Sequence, residues 1–217
     1  MKCEVDVHDV DFNGVAKTSS IMKYIQSAAQ SQLTDNGMSY DNLKAAKRAF
    51  IISRFKLEIL KPLKAHTPLT AITYPCESRG YSFLRCYALE CDGEIVAKAI
   101  SVWALVDTES RALVKVKDFE LGLETMPQNE LILGAMKLPA MMTDIGGYGV
   151  HYGDVDQNMH MNNTKYLDWI ADLLPSSFHE QHNPVEFTVC YLSEAREGQE
   201  LTLSWEFTEE GCLLMDA

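Results

Sequence analysis

The chain has 217 residues, 47% hydrophobic and 23% charged, with a formal net charge of −12. That length accommodates one large domain or two of about 100 residues, and the composition excludes a disordered or collagen-like chain. The acidic balance argues against nucleic acid, whose phosphates call for clustered Lys and Arg.

Apolar stretches such as 99–106 end well short of the roughly 18 residues that a bilayer span needs. No apolar run follows Lys2 as it would in a signal peptide. The six cysteines (Cys3, Cys76, Cys86, Cys91, Cys190, Cys212) form no CxxC pair and no dense framework. They are expected to be reduced thiols in a cytoplasmic protein. One segment departs from the acidic average: Lys44, Lys47, Arg48, Arg54, Lys56, Lys61 and Lys64 stand against Glu58 alone, so charge is segregated along the chain.

In chain order, residues 4–7 alternate as a short strand, and Asp9-Val10-Asp11-Phe12-Asn13-Gly14 has turn composition. From Thr18, Ile21, Ile25, Ala28, Ala29 and Leu33 recur at helical spacing, and Asn36-Gly37 stops the helix. After a polar, basic connection, strands are expected at 49–60, 69–74, 81–90 and 94–106, with Asp92-Gly93 as a hairpin signal. One helix followed by antiparallel strands is an α+β layout. Residues 107–134 read as a crossing linker. The pattern then restarts, with a short strand at 149–152, a turn at 154–158 and a helix at 163–174 stopped by Pro175. Strands at 185–191 and 200–207 follow.

This restart is an internal repeat. Asp9-Val10-Asp11-Phe12-Asn13 matches Asp154-Val155-Asp156-Gln157-Asn158, and Met22-Lys23-Tyr24-Ile25 resembles Thr164-Lys165-Tyr166-Leu167. The strand at Phe55–Leu60 aligns with Phe187–Leu192, which sets Leu69 on Leu201. The first copy's later strands then have no counterpart before Ala217, and a short second copy with an open sheet edge is expected. The division is 1–110 for the first unit, 111–145 for the linker and 146–217 for an incomplete second unit.

The run 154–163 places acid, amide and imidazole groups on alternate residues just before a helix. A calcium loop fails because Met159 replaces the sixth-position Gly and Lys165 the twelfth-position Glu. A zinc site on His151, His160 or the His179/His182 pair lacks a Cys or carboxylate at closing spacing. Capping and turn formation account for Asp154 and the asparagines. They do not account for His160 between Met159 and Met161.

Asp154-Val155-Asp156-Gln157-Asn158-Met159-His160-Met161-Asn162-Asn163-Thr164-Lys165-Tyr166-Leu167-Asp168-Trp169-Ile170 closely resembles the D-x-D-x-N-x-H-x-N-N-x-K-Y-x-x-W-I signature of acyl-ACP thioesterases. Ser101-Val102-Trp103 with Asp107-Thr108-Glu109-Ser110-Arg111, and Tyr191-Leu192-Ser193-Glu194-Ala195, resemble further segments of that family. The resemblance implies tandem hot-dog units, each a long helix wrapped by an antiparallel sheet. It assigns catalytic roles to Asp156, Asn158 and His160, with Glu194 facing them from the following strand. Plant members place a Cys directly after that Glu, where this chain has Ala195. Cys190 is no substitute, since four strand residues displace it by roughly 13 Å.

Water attack is therefore the expected chemistry. A thiolate leaving group, with a conjugate acid near pKa 8.5, needs little help from a general acid. Glu194 would act as general base, His160 would orient water or substrate, Asn158 would donate to the carbonyl oxygen, and Asp156 would anchor the network. In the first copy Gly14 and Val15 follow Asn13 where the His would be, and Pro62 stands opposite Glu194, so that copy is expected to house the acyl chain near Met22, Ile25 and Ala29. The basic residues Lys44 to Lys64 are the expected docking patch for acyl carrier protein bearing its 4′-phosphopantetheine acyl thioester. No metal, cofactor, nucleic acid or membrane span is implied, and a monomer or homodimer is expected. The alternatives are an acyl-CoA thioesterase and a non-catalytic hot-dog module that binds acyl thioesters.

Overall fold

The computed structural model describes residues 1–208 and 212–216. Its elements, in chain order, begin with β1 (Lys2–Glu4), α1 (Thr18–Asp35), α2 (Tyr40–Ala45), β2 (Arg48–Ile59) and β3 (Pro68–Pro75). They continue with β4 (Phe83–Cys91), β5 (Glu94–Asp107), β6 (Leu113–Val114), β7 (Thr143–Gly149), α3 (Lys165–Asp172) and α4 (Ser176–His179). β8 (Glu186–Cys190), β9 (Glu200–Phe207) and β10 (Leu213–Asp216) complete the chain. Two compact units result, one of Met1–Leu133 with Ser177–Tyr191, the other of Gly134–Ser176 with Leu192–Ala217.

In the first unit α1 packs on an antiparallel sheet of order β1-β3-β4-β5-β2-β8, with β6 added to β5. The helix turns Ile21, Met22, Ile25, Ala28 and Ala29 inward, and the small residues at 28 and 29 let its axis approach the strands. Phe55 and Leu57 on β2, and Tyr87 and Leu89 on β4, are buried at alternate strand positions, each at most 1% exposed. Asn36 and then Gly37, at φ +77°, end the helix as its turn chemistry predicts. Asp92 and Gly93, both at positive φ, form the expected tight β4–β5 hairpin.

Three local expectations are revised. Residues 4–7 are not a strand: β1 covers Lys2–Glu4, and Val7–Asp9 form a 3-10 turn whose preceding Asp6 side chain accepts from His8 N. The polar connection after α1 contains α2, started by Ser39, which accepts from Asn42 N at 3.2 Å. The stretch 111–145 is not a bare linker. Its start pairs with β5, its middle packs Leu131 against Cys76, Cys86 and Ile100, and its end belongs to β7.

The repeat persists in the hydrogen-bonded registers. β1 pairs with β3 through Lys2↔Thr70, Cys3↔Leu69 and Glu4↔Pro68; β7 pairs with β9 through the repeat-equivalent Gly147↔Thr202, Tyr148↔Leu201 and Gly149↔Glu200. The second unit's sheet is β10-β9-β7. Its β10 corresponds to β4, because Glu206↔Leu214 repeats Tyr74↔Cys86, so one of the later strands expected to lack a counterpart has one. β8, the repeat copy of β2, adds to β2 itself. Its register pairs Phe55 with Val189 and Leu57 with Phe187, symmetrically about Lys56↔Thr188.

Candidate active site

The second unit carries the loop 154–164 between a 3-10 turn (Tyr152–Asp154) and α3. Two segments meet there. Val155 bridges Met161, and Met161 N donates to Ala195 O at 2.7 Å, which joins the loop to the connection between β8 and β9. Met161 and Ala195 are 4% and 5% exposed and pack with Val150 and Trp169. Successive residues of an extended segment point to opposite sides. With Met161 and Ala195 drawn into the core, their neighbours His160 and Glu194 are turned the other way, onto a common face.

There His160 Nε2 lies 3.0 Å from Glu194 Oε2, with the side chains 25% and 45% exposed. An ionised carboxylate accepts only, so Nε2 carries the shared proton, and Nδ1 keeps a lone pair while the ring is neutral. Glu194 sits on the connection after β8, not on a strand as expected. Asp156 Oδ1 accepts from Asn158 N at 2.8 Å and its Oδ2 from Asn158 Nδ2 at 3.5 Å, an Asx turn that holds the amide beside the acid. Asp156 N donates to His160 O at 2.9 Å, so the turn also sets the position of the imidazole.

Beneath the turn, Asp154 is 7% exposed. It accepts from His151 N at 2.9 Å and Tyr148 OH at 3.3 Å, with Lys165 Nζ at 3.9 Å. Sequence reasoning gave Asp154 no more than a capping role and missed Tyr148. The repeated aspartates signalled the first, while the second reaches Asp154 from six residues upstream, where the chain leaves β7.

The first copy is an internal control, because its loop is built with the same bonds. Asp11 N donates to Val15 O at 2.8 Å, Gly14 N to Asp11 O at 3.0 Å, Lys17 N to Asp9 O at 2.9 Å and Ala16 N to Leu63 O at 2.7 Å. The second-copy equivalents are Asp156 N to His160 O at 2.9 Å, Met159 N to Asp156 O at 2.9 Å, Asn162 N to Asp154 O at 2.8 Å and Met161 N to Ala195 O at 2.7 Å. Asp11 Oδ1 accepts from Asn13 N at 2.8 Å just as Asp156 does from Asn158, and Gly14 and Met159 share a left-handed backbone at φ +72° and +62°.

Val15 and Pro62 stand where His160 and Glu194 do, and they line an apolar cavity of about 80 Å³ with Ile21 and Leu60. What both loops share is structural; the imidazole–carboxylate pair is what the second loop adds. The acid of the first loop, Asp9, accepts from Tyr24 OH at 2.5 Å and Ser20 Oγ at 2.9 Å. Burial works to raise its pKa, but these bonds and the nearby lysines hold it below the usual carboxylate range, while burial and the same bond push Tyr24 up to about 12.

The other predicted residues are dispersed. Met22, Ile25 and Ala29 are packed core side chains, at most 5% exposed, so an acyl chain reaching them has to displace packing. Of the basic residues, Arg48 pairs with Asp107, Lys47 with Glu109, Lys56 with Glu186 and Lys61 with Glu94. Lys44 lies 5.7 Å over the Tyr40 ring. Among the described residues Arg54 and Lys64 have no carboxylate within ion-pair distance, and no three His, Cys, Asp or Glu side chains are grouped to hold a metal ion. Ala195 belongs to the buried cluster, so a larger side chain there enters the core instead of the His160 face.

Comparison with known proteins bears on the family and the fold. The sequence profile of the acyl-ACP thioesterase N-terminal domain matches residues 1–121, and that of the C-terminal domain matches 140–215. A dodecanoyl-[acyl-carrier-protein] hydrolase of Cinnamomum camphora is 33% identical over 112 residues, 47% of this chain and 29% of that protein. An oleoyl-acyl carrier protein thioesterase of Arabidopsis thaliana is 23% identical over 213 residues, 88% of this chain and 58% of that protein. The chain thus spans between about a third and three fifths of the length of these relatives. An acyl-ACP thioesterase structure from Bacteroides thetaiotaomicron superposes with a TM-score of 0.88 at 19% identity, covering 97% of this chain and 87% of that one. The 12:0-ACP thioesterase of Umbellularia californica gives 0.84 at 18% identity, covering 97% and 88%. These likenesses establish the tandem hot-dog fold, and with both domain profiles matched along its length the chain belongs to the acyl-ACP thioesterase family.

Proposed function

We propose that this chain hydrolyses fatty acyl thioesters carried on acyl carrier protein, releasing free fatty acid and the carrier's thiol. The observation that carries the reading is the His160–Glu194 pair at 3.0 Å, set on a loop whose first-copy twin has the same backbone bonds but Val15 and Pro62 in place of the pair. Glu194 takes the proton of an attacking water, and the His160 Nε2–H aims its carboxylate. Asn158 supplies an amide N–H for the developing oxyanion. Asp156 positions Asn158 and His160 through the turn. The thiolate leaves without prior protonation.

The carrier-protein assignment rests on the family and on the basic segment. Lys64, exposed and without an acid partner among the described residues, is the charge most available to an acidic carrier. Thiol release should be measured with an acyl-carrier protein and with the matching acyl-CoA. Lys64→Glu should lower kcat/KM for the first more than for the second; equal losses favour acyl-CoA as substrate. Acyl thioester binding without thiol release marks a non-catalytic module and defeats the proposal.

A further inference from the structure

The first unit has a second groove, on the sheet face opposite α1. Arg85 reaches the helix side, where its Nη1 donates to Gln32 Oε1 at 2.5 Å. Alternation along β4 therefore turns Leu84 and Cys86 to the other face, beside their register partners Val102 and Ile100. The segment 126–133 straps across this face. Met126 N donates to Pro75 O at 2.9 Å, Asn129 Nδ2 to Ala99 O at 3.1 Å, and Leu131 is 6% exposed against Cys86 and Ile100. Between strap and sheet lies a groove of about 630 Å³, within the size range of sites for small organic ligands.

Its lining is mixed: Leu84, Ile100, Val102 and Leu133 form an apolar strip, and Arg54, Ser82 and Gln128 are among the polar groups beside it. Arg54 is half-buried, and its Nη1 makes a long bond to Leu133 O at 3.4 Å. Among the described residues no carboxylate pairs with it. The other charges at the groove, Glu77 and Arg79, neutralise each other at 2.9 Å. A half-buried guanidinium with spare N–H donors beside an apolar strip is matched by a planar anion joined to a hydrocarbon tail.

We propose that this groove binds an aliphatic carboxylate, its head on Arg54 and its tail along Leu84, Ile100 and Val102 beneath the strap. The site lies wholly within the first unit, and the inference does not rest on the hydrolase reading: a chain without thioesterase activity would still bind there.

The test uses the full chain with two diazirine photoprobes of equal length, a fatty acid and its fatty alcohol, and maps the label on tryptic fragments 99–111 and 118–137. The wild-type chain should be labelled in these fragments by the acid, and at least about tenfold more weakly by the alcohol at equal concentration, the value of one charge-assisted hydrogen bond. Arg54→Gln should abolish that preference while leaving alcohol labelling unchanged, which also reports that the groove is still folded. Acid labelling confined to other fragments, equal labelling by both probes in the wild type, or an acid preference that survives Arg54→Gln each overturns the proposal. Should Arg54→Gln unfold the chain, the wild-type comparison of the two probes decides alone.

Discussion

Replacing Glu194 by Gln keeps the shape of the side chain and removes the charge that His160 faces at 3.0 Å. Loss of a positioned general base lowers turnover by about 10²- to 10⁴-fold, and the amide cannot replace it because it cannot take the proton from water. The cost to folding should be small. Glu194 is 45% exposed and His160 25% exposed, and a pair so open to solvent contributes about 1 kcal/mol or less to stability. Glu194→Gln, His160→Ala and the double variant should therefore be compared by thiol release and by thermal unfolding. Residues that act as one unit are strongly non-additive, so the double variant should be about as impaired as the worse single variant, with all three retaining near-normal Tm. Near-normal turnover in Glu194→Gln refutes the reasoning, as do losses that multiply in the double variant.

The turn beneath the pair gives a matched comparison. Asp156→Ala should cost about 0.5–1.5 kcal/mol for its lost hydrogen bond and also reduce turnover, with Asp156→Asn, which keeps one acceptor oxygen, in between. Asp11→Ala, which breaks the equivalent bond in the first copy, should carry a similar stability cost in chemical denaturation and no loss of turnover; a fall in turnover as large as that of Asp156→Ala would contradict the division between structure and chemistry. Met161→Ala should cost about 2–5 kcal/mol, because the side chain is 4% exposed among Val150, Trp169 and Ala195; a negligible shift in the denaturation midpoint would show that this cluster does not set the loop. Tyr24 and Asp9 predict a pH signature. The folded chain holds the Tyr24 proton up to about pH 12 while an unfolded tyrosine releases it near 10.0, so its contribution is complete below the lower value and disappears as pH rises to the upper one. The stability advantage of wild type over Tyr24→Phe should shrink across that window, and an advantage that grows there would have the sign wrong. On the acid side, the depressed Asp9 predicts that wild type loses stability relative to Asp9→Asn as pH falls below the carboxylate range.

Much of the fold was legible because its signals are local. The helix at Thr18–Asp35 follows from apolar spacing and an Asn-Gly stop, and the β4–β5 hairpin follows from Asp92-Gly93. The repeat was readable because the two loops need the same Asx turn, which requires aspartate and asparagine at matching places. What escaped was whatever depends on partners distant in the chain. The strap at 126–133 reads as a linker, since its apolar run Leu131-Ile132-Leu133 is too short to show a period. α2 was missed because six residues carry too little periodicity to stand out from a basic connection.

By itself the sequence determined the class of this protein: a duplicated α+β unit and a family signature from Asp154 to Ile170, within and after which lie the four side chains proposed to carry its chemistry. Side-chain alternation and turn chemistry are short-range, so residue order carries them. Only the tertiary structure decided that His160 and Glu194, separated by more than thirty residues, meet at 3.0 Å, because the Met161–Ala195 backbone bond and the burial of those two side chains set their direction. It likewise decided that most of the basic segment is already paired with acids from β5, β8 and the turn after β5, since ion pairing depends on which segments lie side by side and not on how charges are spaced along one of them.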